Sequence, residues 1–126
     1  RHDAFGKDVA RLDDVMNWIP ARLTGLLFAL SVPRRAGPAL WVMLRDARRH
    51  RSPNAGWPES ALAGALDVRL SGPRVYATRT AEEPWLNADA PDPTAQDLSR
   101  ALRLYLRLMA MLAGGLAVLP LLSGAL

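Results

Sequence analysis

A chain of 126 residues, 50% hydrophobic, 22% charged and with a formal net charge of +4, has the bulk composition of one ordinary domain. It contains no cysteine, which excludes disulfides, thiolate nucleophiles and cysteine-ligated zinc within it. The averages conceal segregation: Leu108 to Leu126 is 19 residues without a charge, while Arg34 to Arg107 holds twelve arginines against eight acidic residues.

Phe5 to Trp18 is predicted as an amphipathic helix, with Val9, Leu12, Val15 or Met16, and Ile19 recurring at spacings of three to four. Asp13 and Asn17 stand four apart and share a face, with Asp14 one step round beside Trp18. Pro20 is expected to end or kink that helix. Leu23 to Val32 is apolar for only ten residues, and extending it back to Ile19 takes in Arg22. An arginine at the bilayer centre costs about 2.5–3.5 kcal/mol on insertion scales. A tilted, interfacial or re-entrant membrane segment therefore suits this stretch better than a full crossing. After a turn at Pro33 to Pro38, Ala39 to Arg49 reads as a helix. It carries Leu40, Met43, Leu44 and Ala47 on one side and Arg45, Arg48 and Arg49 on the other.

The loop Arg51-Ser52-Pro53-Asn54-Ala55-Gly56-Trp57-Pro58-Glu59 follows. Its two prolines each fix a φ angle and Gly56 permits φ > 0 between them, so a shaped backbone is expected. Pro58 suits a first helical position with Glu59 in the first turn, and Ser60 to Leu66 gives a short helix of small residues suited to close packing. Asp67 to Leu70 and Arg74 to Ala77 flank Ser71-Gly72-Pro73 and read as a small β-hairpin or extended turn. Glu82 to Pro93, with three prolines, reads as a loop, either lid or linker.

Thr94-Ala95-Gln96-Asp97 has the form of a capping box with Asp in place of Glu, opening a long helix to about Val118. Arg100, Arg103 and Arg107 form a stripe on it, beyond which the helix is wholly apolar. That is the pattern of a membrane helix whose first turns stand in the interface, with the arginines reaching headgroups. Its apolar length approaches the roughly 20 residues a crossing needs, and Gly114-Gly115 would admit a close neighbouring helix. The positive-inside bias puts residues 34–107 on the cytoplasmic side. The expected fold is mainly α: a helical integral membrane fragment with a cytoplasmic helical and loop region and a small β-hairpin, in the stretches 1–33, 34–93 and 94–126.

A rigid polar loop entered from an arginine-rich segment suits a large anionic substrate. An inert surface turn that caps the next helix explains the same residues equally well. Asp13, Asp14 and Asn17 offer hard oxygen donors for a partial Mg²⁺ shell, although a solvated acidic turn is the commoner meaning of such a group. Arg22, in apolar surroundings, either binds an anionic group or pairs with Asp13 or Asp14. His2 and His50 are the only histidines and have no metal-site spacing; no GxxxxGK[ST] loop occurs.

Asp13-Asp14, Asn17 and Pro20-Ala21-Arg22-Leu23-Thr24, followed by the Arg51–Glu59 loop, Ala63-Gly64-Ala65-Leu66 and Gly72-Pro73-Arg74-Val75-Tyr76, resemble the CobD/CbiB family of cobalamin biosynthesis in order and spacing. The likeness covers most of Ala4 to Tyr76 and continues more weakly to the C-terminus. Members of that family are longer, multi-pass membrane proteins, and this chain does not begin with Met, so it is expected to be the C-terminal part of a longer polypeptide.

The resemblance implies a carbon–nitrogen ligase of the inner membrane. It would join aminopropanol or its phosphate to a carboxyl group of (adenosyl)cobyric acid, with ATP and Mg²⁺ used by the full-length protein. For that chemistry Glu59, Asn54 and Asp14 are the expected catalytic residues, Glu59 either holding magnesium or accepting the proton of the amine, and Arg22, Arg48, Arg51, Ser52, Asn17 and Trp57 are the expected substrate-binding residues. Mg²⁺ would sit on Asp13 and Asp14. The lipid bilayer and other corrinoid-assembly enzymes are the further partners implied; no bound prosthetic group and no nucleic acid are expected. A non-catalytic membrane scaffold that binds corrinoid or anionic lipid is the alternative.

Overall fold

Helix α1 (His2–Met16) leads into α2 (Trp18–Leu30), α3 (Ala36–Asp46) and α4 (Gly56–Leu66), and four short strands then precede the 29-residue α5 (Ala95–Ser123). Short 3-10 turns at Pro33–Arg35 and Ala47–Arg49 lead into and out of α3. This computed structural model describes residues 2–76 and 79–124. The last residue assigned to the hairpin's second arm, Ala77, and the end of the apolar run, Ala125 and Leu126, lie outside the described residues.

Helix α4 is the hub because its side chains are small. Gly56, Ser60, Ala61, Ala63, Gly64, Ala65 and Leu66 are all buried in it. A Cβ on Gly64 would lie 2.7 Å from the Ala39 Cα, and one on Gly25 of α2 would lie 3.0 Å from the Trp57 carbonyl oxygen. Glycine at these two positions is what lets α3 and α2 reach α4 backbone to backbone. Phe28 and Ala29, Ala39 and Met43, Ala61 and Ala65, and Leu104 and Leu108 fill the core where α2, α3, α4 and α5 meet. A smaller cluster joins Val42, Ala63 and Leu86.

The first helix breaks at Asn17, three residues before Pro20. The proline ring excludes the carbonyl four residues back, that of Met16, which is the last residue of α1. Pro20 itself sits in the first turn of α2, where a backbone N–H would have no intrahelical partner. The break is slight: the Asn17 N–H still donates to the Asp13 carbonyl at 2.9 Å, and the Asn17 carbonyl accepts from Ala21 at 3.0 Å. The apolar stretch Leu23 to Val32 packs one side into the core and leaves Leu23, Leu26 and Leu30 exposed on the other. At about 1.5 Å per residue its helix is roughly 20 Å long, short of a roughly 30 Å hydrocarbon layer. Gly25, Phe28 and Ala29 are buried on it.

The strands also depart from expectation. Leu70–Ser71 (β1) pairs not with the segment after Pro73 but with Trp85–Leu86 (β4), and Arg74–Tyr76 (β2) pairs with Arg79–Ala81 (β3), both antiparallel. Ser71 and Gly72 have φ of 65° and 82°, and a Cβ on Gly72 would strike the Trp85 indole at 2.5 Å. That turn directs the chain away into a separate β2–β3 ribbon and leaves β1 free for β4. Residues 82–93 are anchored to the fold at their middle: Leu86 is fully buried, and Asn87, at φ 55°, is buried beside it.

Helix α5 begins with the expected capping box. The Thr94 Oγ1 accepts from the Asp97 N–H at 3.3 Å, and the Asp97 Oδ2 accepts from the Thr94 N–H at 3.0 Å. It runs past Val118, through Pro120, to Ser123. Leu104 and Leu108 dock on the core, whereas Met111, Leu116 and Leu119 are exposed. Among the described residues, Ala95–Pro120 is the one helix long and apolar enough to cross a membrane. A Cβ on Gly114 or Gly115 would meet no atom of another element within 4 Å among the described residues.

Candidate functional site

The α1–α2 joint meets the loop before α4 through Asn54, which retains only 8% of its exposure. The Asn54 Nδ2 donates to the Asp14 carbonyl oxygen at 2.8 Å and, more weakly, to the Asp14 Oδ1 at 3.4 Å. The Asn54 Oδ1 accepts from the Arg22 Nη1 at 2.9 Å. One amide therefore ties together two residues 40 and 32 positions away. Arg22 Nη1 also donates to the Trp18 carbonyl at 2.9 Å. The guanidinium lies over two indoles, 4.3 Å from the Trp18 ring centroid and 4.8 Å from that of Trp57. Each such cation–π contact is worth about 0.5–1 kcal/mol at an accessible site.

Local bonds shape the loop. The Ser52 Oγ accepts from the Asn54 and Ala55 N–H groups at 3.4 and 3.2 Å, and the His50 Nδ1 accepts from the Ser52 N–H at 3.0 Å. Gly56 is needed here for closeness and not for a positive φ: a Cβ would collide with the Ala47 carbonyl oxygen and lie 2.7 Å from the His50 Cβ. With His50 Nδ1 accepting, Nε2 carries the proton and points to the Glu59 carboxylate 3.5 Å away.

Two clefts flank this cluster. One, of about 260 Å³, is lined by Asn17, Pro20, Ala21, Thr24, Asn54, Ala55 and Pro58. The other, of about 440 Å³, is lined by Asp14, Val15, Trp18, Ile19 and Pro53. Asn54 opens on the first, and Asp14, bonded to it, on the second.

A family model described as CobD/Cbib protein matches residues 1–105. The chain belongs to the CobD/Cbib family. A relative named cobalamin biosynthesis protein CobD from Rhodobacter capsulatus is 67% identical over 110 residues, 87% of this chain and 35% of the relative. The proteins of the same name from Brucella suis and Klebsiella pneumoniae are 52% identical over 120 residues and 44% over 107. Those alignments take in 90% and 82% of this chain, and 37% and 34% of the relatives. The chain thus spans about a third of the length of these curated relatives. No solved structure matches it.

Of the other residues expected at the site of this CobD/Cbib chain, Trp57, Ser52 and Asn17 border the Asn54 cluster, whereas Arg51 and Glu59 turn to other partners. Arg51 pairs with Glu83 at 3.2 Å, and Glu83 also accepts from the Ser71 Oγ at 3.2 Å. Arg48 is exposed, with no partner among the described residues. Glu59 faces His50. Asp13 accepts from the Asn17 Nδ2 at 3.0 Å on its Oδ1 and again on its carbonyl. Thr24 bonds back to the Pro20 carbonyl at 2.8 Å and behaves as a helix residue. Arg22 pairs with neither Asp13 nor Asp14 among the described residues.

Sequence reasoning missed Trp18 as a stacking partner and Asp46 as an organiser. Asp46 is fully buried. It accepts two bonds from Arg45, at 2.7 and 2.6 Å, one from the Asn87 N–H at 2.8 Å and a longer one from Arg49 at 3.4 Å. Burial pushes its carboxyl up, but the Arg45 and Asn87 hydrogen bonds, the Arg45 charge and the Arg49 bond together hold it below the ordinary carboxylate range. Asp46 thereby fastens the end of α3 to the turn after β4, and the Asn87 Nδ2 extends the link to the Ala63 and Val68 carbonyls at 3.4 and 3.3 Å. The signal available in sequence was Arg45-Asp46 and Arg49 on one helical turn, three ordinary surface residues until Asn87 arrives from 41 positions away.

Proposed function

We propose that the chain supplies part of the active surface of a cobalamin-biosynthesis enzyme of the inner membrane, with residues 34–107 on the cytoplasmic side. The reaction in this reading is amide formation between aminopropanol, or its phosphate, and a carboxyl group of (adenosyl)cobyric acid. The observation that carries the proposal is the convergence of Asp14, Arg22 and Asn54 on one hydrogen-bonded unit beside two clefts.

Arg22 spends Nη1 on the protein; its Nε and Nη2 make no hydrogen bond among the described residues. That edge suits two oxygens of a carboxylate or phosphate. Trp18 and Trp57 fix the plane of the guanidinium. Asn54 has its amide engaged on both sides, so it is a positioning residue that holds the cation and the carboxylate in register. In the condensation the amine nitrogen attacks the activated acyl carbon, the carbon–oxygen bond breaks with its electron pair on the leaving phosphate, and the ammonium proton passes to the half-buried Asp14 carboxylate. The clefts, about 260 and 440 Å³, suit a side arm and a small amine, with the macrocycle outside. His50 gives Glu59 a loop-holding part in this reading.

Asp13 and Asp14 each keep one carboxylate oxygen free of hydrogen bonds among the described residues. The free oxygen of Asp13 would hold a Mg²⁺ that takes its remaining ligands from water and substrate, while that of Asp14 receives the amine proton. Bound there, the ion would neutralise phosphate charge. Among the described residues no group of three or more His, Cys, Asp or Glu side chains forms a metal cage.

The test uses purified full-length enzyme with cobyric acid, ATP, Mg²⁺ and either amine, scored for amide product by mass spectrometry. Arg22→Ala is expected to lower kcat/KM by roughly 10²-fold or more, the scale for removing one preorganised donor. Unaltered turnover would remove the assignment. Corrinoid retention by the wild type without ATP consumption would favour the scaffold instead.

A further inference from the structure

The three arginines of α5 line a groove that the proposed chemistry does not use. Arg100, Arg103 and Arg107 stand on one face of the helix and border a depression of about 190 Å³ whose other walls are Val32, Ala65, Leu66 and Leu104. Arg100 is tied to Asp97, Nη1 to Oδ1, at 2.9 Å. Arg103 and Arg107 are exposed and have no acidic partner among the described residues. Two unneutralised guanidinium groups over an apolar floor fit an oxyanion that carries an apolar body.

The continuation of α5 supplies the place for that body. From Arg107 to Pro120 the helix rises about 20 Å at about 1.5 Å per residue, slightly more than one leaflet of a roughly 30 Å hydrocarbon layer. Met111, Leu116, Val118 and Leu119 are exposed along it. We infer that this groove is a binding site for the headgroup of an anionic phospholipid, with the phosphate between Arg103 and Arg107 and the acyl chains along the apolar half of α5. The site rests on α5 entering the bilayer and is independent of the corrinoid chemistry. It fixes the depth of the helix, because the arginines mark the headgroup plane.

The experiment uses full-length protein reconstituted in nanodiscs of equal phosphatidylglycerol and phosphatidylcholine, with retained lipid counted by native mass spectrometry and insertion checked by alkaline extraction. Wild type is expected to enrich phosphatidylglycerol, and R103Q/R107Q to lose most of that preference, roughly 10- to 30-fold for two basic residues near an anionic surface. R103K/R107K keeps the preference, as does Arg74→Gln, which removes an exposed arginine of β2. Added inorganic phosphate leaves the lipid in place. The inference is overturned by a wild type without preference, by equal enrichment in R103Q/R107Q, or by loss of preference in R103K/R107K. An equal drop in Arg74→Gln, or displacement of the lipid by inorganic phosphate, also overturns it.

Discussion

The bond between Arg22 and Asn54 should appear as a coupling energy. Arg22→Ala removes two charge-assisted hydrogen bonds of 2.9 Å and the two indole contacts. Since the guanidinium is only half-buried and water replaces part of what it loses, the expected cost is about 2–4 kcal/mol. Asn54→Ala removes the same Arg22 bond and the 2.8 Å bond to the Asp14 carbonyl from a buried position, again about 2–4 kcal/mol. The two changes share one interaction. The double variant is therefore expected to cost about 1.5–3 kcal/mol less than the sum. Arg22→Lys should lose most of that coupling, because a lysine cannot reach Asn54 while lying flat over both rings. Denaturant unfolding of the full-length protein, followed for wild type, both single variants and the double, measures it. Additivity within about 0.5 kcal/mol would show that the two side chains act independently and that Asn54 does not position Arg22.

Asp46→Asn is expected to destabilise the protein by about 2–4 kcal/mol, since it removes a buried acceptor of charge-assisted bonds. The Asp46 carboxyl is held below its ordinary value, so its contribution is complete above the unfolded pKa of about 3.9 and is lost as pH falls through the lower folded value. Wild type should lose more stability than Asp46→Asn on acidification below about pH 4; parallel stability curves would contradict the assignment. Gly64→Ala should cost about 1–3 kcal/mol by forcing α3 and α4 apart, whereas Gly114→Ala, in open space, should be neutral or stabilising by up to about 1 kcal/mol. Thermal unfolding of the two variants separates a packing glycine from a free one.

Helix existence was legible because it depends on neighbours within four residues. The capping box at Thr94–Asp97, the small-residue α4 and the apolar length of α5 all follow from local spacing and composition. The loop around Asn54 was legible as a shaped polar segment for the same reason. Strand partners were not: β1 chose β4 over β2 because the Ser71–Gly72 turn stacks on Trp85, fourteen residues downstream of Ser71. The destination of Arg22 was equally hidden, since Asp13, Asp14 and a ligand all satisfy a cation and only packing brings Asn54 within 2.9 Å of it. Arg51 and Glu59 illustrate the converse: next to Asn54 in sequence, they turn to Glu83 and His50, because adjacent side chains on a turning backbone leave in different directions.

The amino-acid order by itself determined that most of the helices form, the cap of α5, the segregation of charge from the apolar C-terminal stretch and the segments where polar chemistry concentrates. All of these are short-range effects of backbone hydrogen bonding and side-chain periodicity. Helices α3 and α4 begin at Ala36 and Gly56, ahead of the expected Ala39 and Pro58. Tertiary structure alone decided which of those polar groups meet. Hydrogen bonds and ion pairs across 32 to 41 residues form only where burial brings the partners together, as at Arg22–Asn54 and at Asp46–Asn87.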